Sequence, residues 1–204
     1  MKRIVKHINE GEFLRGVYPK QQIVLHGTGS STAANVGDWW NIQKGAIATA
    51  FAVDKGGELI ELFPPCYWAY HTGNGSTYDT RNIGIEIANE GYLKEANGKY
   101  YWDASGKWVD YRGEVFDNGK LWRGFRYFAA FTEAQYDTVA EICAEMCRNF
   151  DIKPAVLEGF DYSVSYLSYK GIVKHCNVYP SKMDVTPAFD MTKFRKLFEQ
   201  EVKQ

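Results

Sequence analysis

A chain of 204 residues, 45% apolar and 24% charged, is long enough to close one domain around a single core and has the make-up of an ordinary soluble globular protein. Its net charge of -1 argues against a sequence-independent nucleic-acid binder, which needs a basic surface to displace counterions. No apolar run approaches the about 18 residues of a transmembrane helix, so no membrane insertion is expected.

At the N-terminus, Lys2 and Arg3 are followed by Lys6, His7 and Glu10, which interrupt any apolar signal-peptide region. The chain is therefore expected in the cytoplasm as synthesised, with access to a cell wall only after release. Gln22 to His26 is a short apolar run that ends at Gly27, a strand delivering its last side chain to a loop. Ala46 to Val53 and Glu58 to Phe63 read as two further strands, joined through Asp54-Lys55-Gly56-Gly57, a turn composition. In Asn82 to Ala88 the alternation is strict. Ile83, Ile85 and Ile87 share one face, so Gly84 and Glu86 share the other.

From residue 97 to 128 the pattern changes to short polar segments loaded with aromatic rings, and Asp117-Asn118-Gly119-Lys120 carries a hairpin signal. This stretch reads as an insertion or flap. A helix follows, with Thr132 and Gln135 spaced as a capping box and Tyr136, Val139, Ala140, Cys143, Met146, Cys147 and Phe150 on one face. A last helix starts at Asp190 as N-cap, with Phe194, Leu197, Phe198 and Val202 turned inward. The four cysteines, Cys66, Cys143, Cys147 and Cys176, have neither zinc-knuckle nor redox spacing and read as thiols. Together the elements predict one α/β domain over residues 1–204. Its core is a central mixed β-sheet flanked by helices, with an aromatic-rich hairpin insertion at 97–128.

Four histidines are present, and two stand in unusual company. His26 closes the strand before Gly27-Thr28-Gly29, and His175 lies in Lys174-His175-Cys176-Asn177 ahead of Lys182-Met183-Asp184. Taken alone, each is an ordinary polar residue. A catalytic zinc site needs three His, Asp, Glu or Cys ligands and one open position. His26, His175 and Asp184 could supply them, but spacing this loose does not select that set. The helical metalloprotease motif is absent.

The run Ile23-Val24-Leu25-His26-Gly27-Thr28 resembles the opening strand of the N-acetylmuramoyl-L-alanine amidase family. Phe51 to Gly57 resembles its first hairpin, Ala69-Tyr70-His71-Thr72-Gly73 its A-W-H-x-G segment, and Asn82 to Glu86 its S-I-G-I-E strand. His175 through Lys182, Asp184 and Pro187 to Asp190 resembles its closing block. These matches keep the family's order from residue 23 to 190 and leave 97 to 128 uncovered.

The resemblance implies one zinc ion per chain held by His26, His175 and Asp184. It makes Glu86 the catalytic carboxylate and Lys182 the cation beside the developing oxyanion. It places His71 and Asn82 against the substrate, although a buried structural histidine is an alternative for His71. Cys176, next to His175, points away from it and is a poorer third ligand than Asp184. Three positions depart from the pattern. Thr49 stands where some members carry tyrosine, Tyr70 replaces a tryptophan, and Val185-Thr186-Pro187 follows the third ligand.

The implied activity is zinc-dependent hydrolysis of the amide between N-acetylmuramic acid and L-alanine in peptidoglycan, by a monomeric phage endolysin or bacterial autolysin. The alternatives are a cytosolic enzyme recycling muropeptides and a peptidoglycan-binding protein without catalysis. For the segment 97–128, the functional expectation is a flap beside the cleft on which Trp102, Trp108 and Trp122 meet glycan. The ordinary one is a satellite aromatic cluster.

Overall fold

The computed structural model describes residues 1–204, and the chain enters it at the edge of a sheet with β1 (Arg3–Val5). The first apolar run forms β2 (Gln22–Gly27), followed by α1 (Val36–Gln43), β3 (Phe51–Val53), β4 (Leu59–Glu61), α2 (Ser76–Asp79) and β5 (Asn82–Ile87). Five strands come next: β6 (Tyr92–Ala96), β7 (Lys99–Asp103), β8 (Trp108–Tyr111), β9 (Val115–Trp122) and β10 (Phe125–Ala129). The chain ends with α3 (Glu133–Phe150), β11 (Gly171–Lys174), α4 (His175–Val178) and α5 (Met191–Val202).

The central sheet is six-stranded in the order β1-β4-β3-β5-β2-β11 and is mixed: β3 and β4 run antiparallel, and every other pair is parallel. Its core face follows from the sequence alternation. Ile23 and Leu25 of β2 lie beside Ile83 and Ile85 of β5 and are fully or almost fully buried in the main cluster with the inward residues of α3 and α5. Each such side chain contributes on the order of 1.5–3 kcal/mol by leaving water. Val24 and Val173 point to the other face and pack with Tyr78 and Val178. At the C-terminal ends of the strands this second face gives way to polar groups.

The helix expectations hold in detail. The Thr132 side chain accepts from the Gln135 backbone and the Gln135 side chain accepts from the Thr132 backbone, so α3 starts on a complete capping box. The Asp190 carboxylate accepts from the backbone amides of Thr192 and Lys193 to cap α5. The strand read over Ala46 to Val53 is regular only from Phe51. Lys44 and Ala46 have positive φ, and Ile47 forms an isolated bridge to Tyr70, so the chain bends before it can pair.

The aromatic-rich segment is built from three hairpins that join into a second, antiparallel sheet in the order β8-β7-β6-β10-β9. Asp117-Asn118-Gly119 does not turn the chain between two strands. The Asp117 carboxylate accepts from the Gly119 amide, and residues 118–121 bulge out of β9 as the register slips against β10. The reversal comes at Arg123-Gly124, both with positive φ. From that turn Arg123 donates to the Pro180 carbonyl, which ties the second sheet to the loop after α4. The rings divide between two roles. Trp122, Phe125 and Tyr92 pack against the main core, which overturns the expectation of Trp122 as an exposed flap residue, whereas Trp108 remains 43% exposed. No helix is long and apolar enough to cross a membrane.

Candidate metal centre

The parallel strands β2, β5 and β11 deliver their C-terminal ends to one place, where crevices form in open α/β sheets. His26 is the last side chain of β2 on its face, and His175 follows β11 directly as the first residue of α4. The loop after α4 returns Asp184 between them. One ligand atom from each of the three residues lies within 4.8 Å of the others. Asp184 Oδ2 is 2.9 Å from His175 Nδ1 and 3.3 Å from His26 Nδ1, and the two imidazole centroids are 4.4 Å apart.

The surroundings of the rings decide what this cluster can hold. His175 Nε2 is 3.1 Å from the Thr72 carbonyl, an acceptor only, so Nε2 carries the proton and Nδ1 is left with a lone pair. His26 Nε2 lies 2.9 Å from His71 Nδ1, and His71 Nε2 lies 3.9 Å from the buried Asp79 carboxylate. The carboxylate favours the proton on His71 Nε2. His71 Nδ1 then accepts from His26 Nε2, and His26 Nδ1 also becomes a lone pair. Two ring lone pairs and a carboxylate oxygen thus converge with no donor between them, an arrangement a cation satisfies. The residues present therefore fit a metal with nitrogen and oxygen ligands, and the bonds to Thr72 and His71 are the outer contacts such a site uses to fix its rings.

Electrostatics agree. Burial and the neighbouring His175 push His26 down to about 4, keeping it neutral. Burial works to raise the Asp184 carboxyl, but donation from His175 and His26, in the tautomers that carry the proton on Nδ1 when no cation is bound, outweighs it and holds the group well below the usual carboxylate range. Asp184 is thus a carboxylate either way.

Glu86 stands beside His26 in the register of β2 and β5 and lines the same cavity of about 200 Å³ with Lys182, Trp40 and Thr49. Its Oε2 is buried and has no hydrogen-bond partner. Burial and the Asp184 charge push its carboxyl up to about 8, against the opposing pull of Lys182. Gly84, two residues earlier, makes room on the same face. A Cβ there would meet Thr49 Cγ2 at 2.6 Å and His71 Nδ1 at 3.0 Å.

Five of the residues expected from sequence therefore meet: His26, His175, Asp184, Glu86 and Lys182. His71 also lines this cavity, with its side chain only 5% exposed and its Nδ1 against His26. Asn82 does not join the cluster. It is buried at the opposite end of β5, roughly 13 Å of strand before Glu86, where its carbonyl accepts from Lys20. Sequence reasoning missed Thr72 and Asp79. The Thr72 hydroxyl donates to Asp79 at 2.6 Å while its carbonyl holds His175, so one residue braces a candidate ligand and the carboxylate beside His71. Adjacency to His71 was the only signal for Thr72, and Asp79 gave none.

A family model described as N-acetylmuramoyl-L-alanine amidase matches residues 17–187. No curated protein sequence matches the chain. Among solved structures, the amidase LysC from Clostridium intestinale aligns over 98% of each chain with a TM-score of 0.59 at 10% identity. The hydrolase AmiA from Staphylococcus aureus, in complex with its ligand, aligns over 98% of this chain and 82% of its own, with a TM-score of 0.57 at 14% identity. The amidase AmiD from E. coli, solved with anhydro-N-acetylmuramic acid-L-Ala-D-gamma-Glu-L-Lys, covers 90% of this chain and 59% of its own, with a TM-score of 0.56 at 18% identity. At these identities the structural likeness is one of fold.

Proposed function

Because the chain belongs to the N-acetylmuramoyl-L-alanine amidase family, we propose that His26, His175 and Asp184 hold one zinc ion and that Glu86 and Lys182 work beside it. The enzyme is a peptidoglycan amidase, and the bond it cuts joins N-acetylmuramic acid to L-alanine. The observation that carries the assignment of roles is the convergence of two imidazole lone pairs and the Asp184 carboxylate in the cavity that Glu86 lines.

Zinc, when bound there, polarises the scissile carbonyl and makes a water molecule more acidic. The chain's own groups account for the proton. The Glu86 carboxylate lines the cavity and its buried Oε2 makes no hydrogen bond within the protein, so the group is free to accept a proton from the attacking water. The water oxygen bonds to the carbonyl carbon, and Glu86 returns the proton to the alanine nitrogen as the C–N bond breaks. Burial raises this carboxyl above its ordinary value, which strengthens it as a base for the first half of that cycle. Lys182 lines the same cavity and supplies a positive charge for the oxygen that becomes negative. The products are a muramic acid carboxylate and a peptide with a free alanine amine.

We read the biological role as wall lysis by an endolysin or autolysin. The test is mass spectrometry of products from purified sacculi and from soluble muropeptides. New alanine N-termini in both support the reading, and cleavage of fragments alone assigns the enzyme to recycling. Zinc binding with no cleavage of either makes the chain a binding protein.

A further inference from the structure

Beside the catalytic cavity lies a second one of about 420 Å³, within the about 300–1,000 Å³ of small-molecule sites. The two share Glu86 and Trp40. One wall is α1. Its neighbouring tryptophans part there, with Trp40 buried and Trp39 left 60% exposed on the groove. The opposite wall is Ser105 in the β7–β8 turn, which the second sheet carries over to the cleft.

The lining between these walls is neutral and hydroxylated: Thr28, Ser30, Thr32 and Asn35. The Asn35 side chain does not cap α1 and makes no hydrogen bond within the protein. The Ser105 hydroxyl is equally free, and the Ser30 hydroxyl accepts from the Thr32 amide but donates to nothing. Apart from Glu86, at the junction with the catalytic cavity, the groove holds no charge. The neighbouring pocket on the far side of Asp184 is different, with Glu90 and Asp103 among its lining residues.

An exposed indole face opposite unpaired hydroxyl and amide groups matches one ligand chemistry. A pyranose ring offers an apolar C–H face for stacking and a rim of neutral hydroxyl and acetamido groups for hydrogen bonds. A stem peptide bearing carboxylates and an amine would leave its charges unpaired there. We propose that the groove between Trp39 and Ser105 is a saccharide subsite, which takes the glycan strand on the sugar side of the cleaved bond. The proposal rests on the amidase reading for its substrate and adds residues outside the metal centre.

The test is titration of the full chain, labelled with nitrogen-15, with the β-1,4-linked tetramer of N-acetylglucosamine, which carries no peptide. The six indole N–H signals resolve the response, and a Trp39→Ala spectrum assigns the signal of Trp39. The Trp39 signal should shift with tetramer, Trp39→Ala should weaken binding about tenfold, and Trp39→Tyr should restore most of it. Ser105→Ala should weaken binding by about two- to fivefold, the range for losing one hydrogen bond. Both positions are exposed, so circular dichroism should be unchanged in these variants.

The proposal is overturned if the tetramer leaves Trp39 unshifted, if Trp39→Ala binds as well as the unaltered chain, or if free L-Ala-D-γ-Glu-L-Lys shifts Trp39 and the saccharide does not. The parent reading is tested separately, by cleavage of N-acetylmuramoyl-L-alanyl peptide by the unaltered zinc-loaded chain. Cleavage without saccharide binding sinks only the subsite, and saccharide binding without cleavage sinks only the amidase reading.

Discussion

His26 and Glu86 are direct cross-strand partners in the parallel pair β2·β5, so a candidate ligand and the candidate proton carrier share one row of the sheet. Their spacing is set by backbone hydrogen bonding rather than by loop conformation, and this lets substitutions separate their roles. Glu86→Gln should retain about one zinc per chain and slow turnover on the order of 10²-fold or more, as loss of a general base does. Lys182→Ala should do the same through loss of oxyanion stabilisation. Turnover near normal with the metal in place removes the residue from the mechanism.

His26→Ala should lose both metal and activity, read by metal analysis of the purified protein alongside the rate. Two ligands cannot hold zinc in the geometry of a three-ligand site with one open position. Full metal content in that variant would show that His26 is not a ligand.

Asp79 and His71 should act on the metal without touching it. At 3.9 Å the Asp79 carboxylate makes no hydrogen bond to His71 Nε2, but its charge favours a proton there, and that tautomer leaves His26 Nδ1 free to bind. Asp79→Asn should weaken zinc binding about 10- to 100-fold, the range for outer-shell partners, in competition with a chromophoric chelator. Unchanged affinity would mean that the tautomer is fixed by something other than Asp79.

Gly84→Ala places a methyl group against Thr49 Cγ2 and His71 Nδ1, at distances that force one of them to move. Overpacking of this kind costs about 1–3 kcal/mol, measurable by denaturant unfolding. Adding Thr49→Ser removes the nearer clashing atom and should recover part of the loss. A Gly84→Ala chain as stable as the original would show that the row has slack.

The buried Lys20 gives a pH dependence with a defined sign. Its ammonium donates to the carbonyls of Tyr67, Thr80 and Asn82, and burial lowers it from 10.5 to about 8. Between about pH 8 and 10.5 the unfolded chain keeps a proton that the folded chain has lost, so this residue's contribution to stability rises with pH across that window. Below pH 8 both states are protonated and the contribution is flat. Melting temperatures of the native chain and Lys20→Met should therefore shift in favour of the native chain from pH 8 to 10. A constant difference would contradict the burial of a charged group.

Legibility followed the range of the forces involved. The isoleucine alternation of β5 and the caps of α3 and α5 are local patterns, and the structure keeps them residue for residue. Asp117-Asn118-Gly119 has the local chemistry of a turn and makes one, but strand pairing with β10 determines that it becomes a bulge and that Arg123-Gly124 reverses the chain. Helix α1 was missed because its cap, Asn35, forms no side-chain bond and Gly37 weakens its pattern. Within the site, resemblance alone selected His26, His175 and Asp184 from loose spacing. Asp79 could not be read at all, because its part depends on a histidine eight residues away being folded back against it.

The second sheet is joined to the domain through β6 and β10, which are hydrogen-bonded neighbours, with Tyr92 directly opposite Phe128. Everything between them leaves and returns through two adjacent backbone positions about 5 Å apart. Such an excursion can vary in length while the strands of the central sheet keep their pairing, provided Leu93, Trp122, Phe125 and Phe128 stay against the core and Arg123 keeps its bond to the Pro180 carbonyl. The strand pairing behind the candidate ligands is thus independent of the outboard strands β7 and β8, which shape the outer cleft. Chimaeras that exchange only β7, β8 and their turn offer a route to altered substrate preference on an unaltered central sheet.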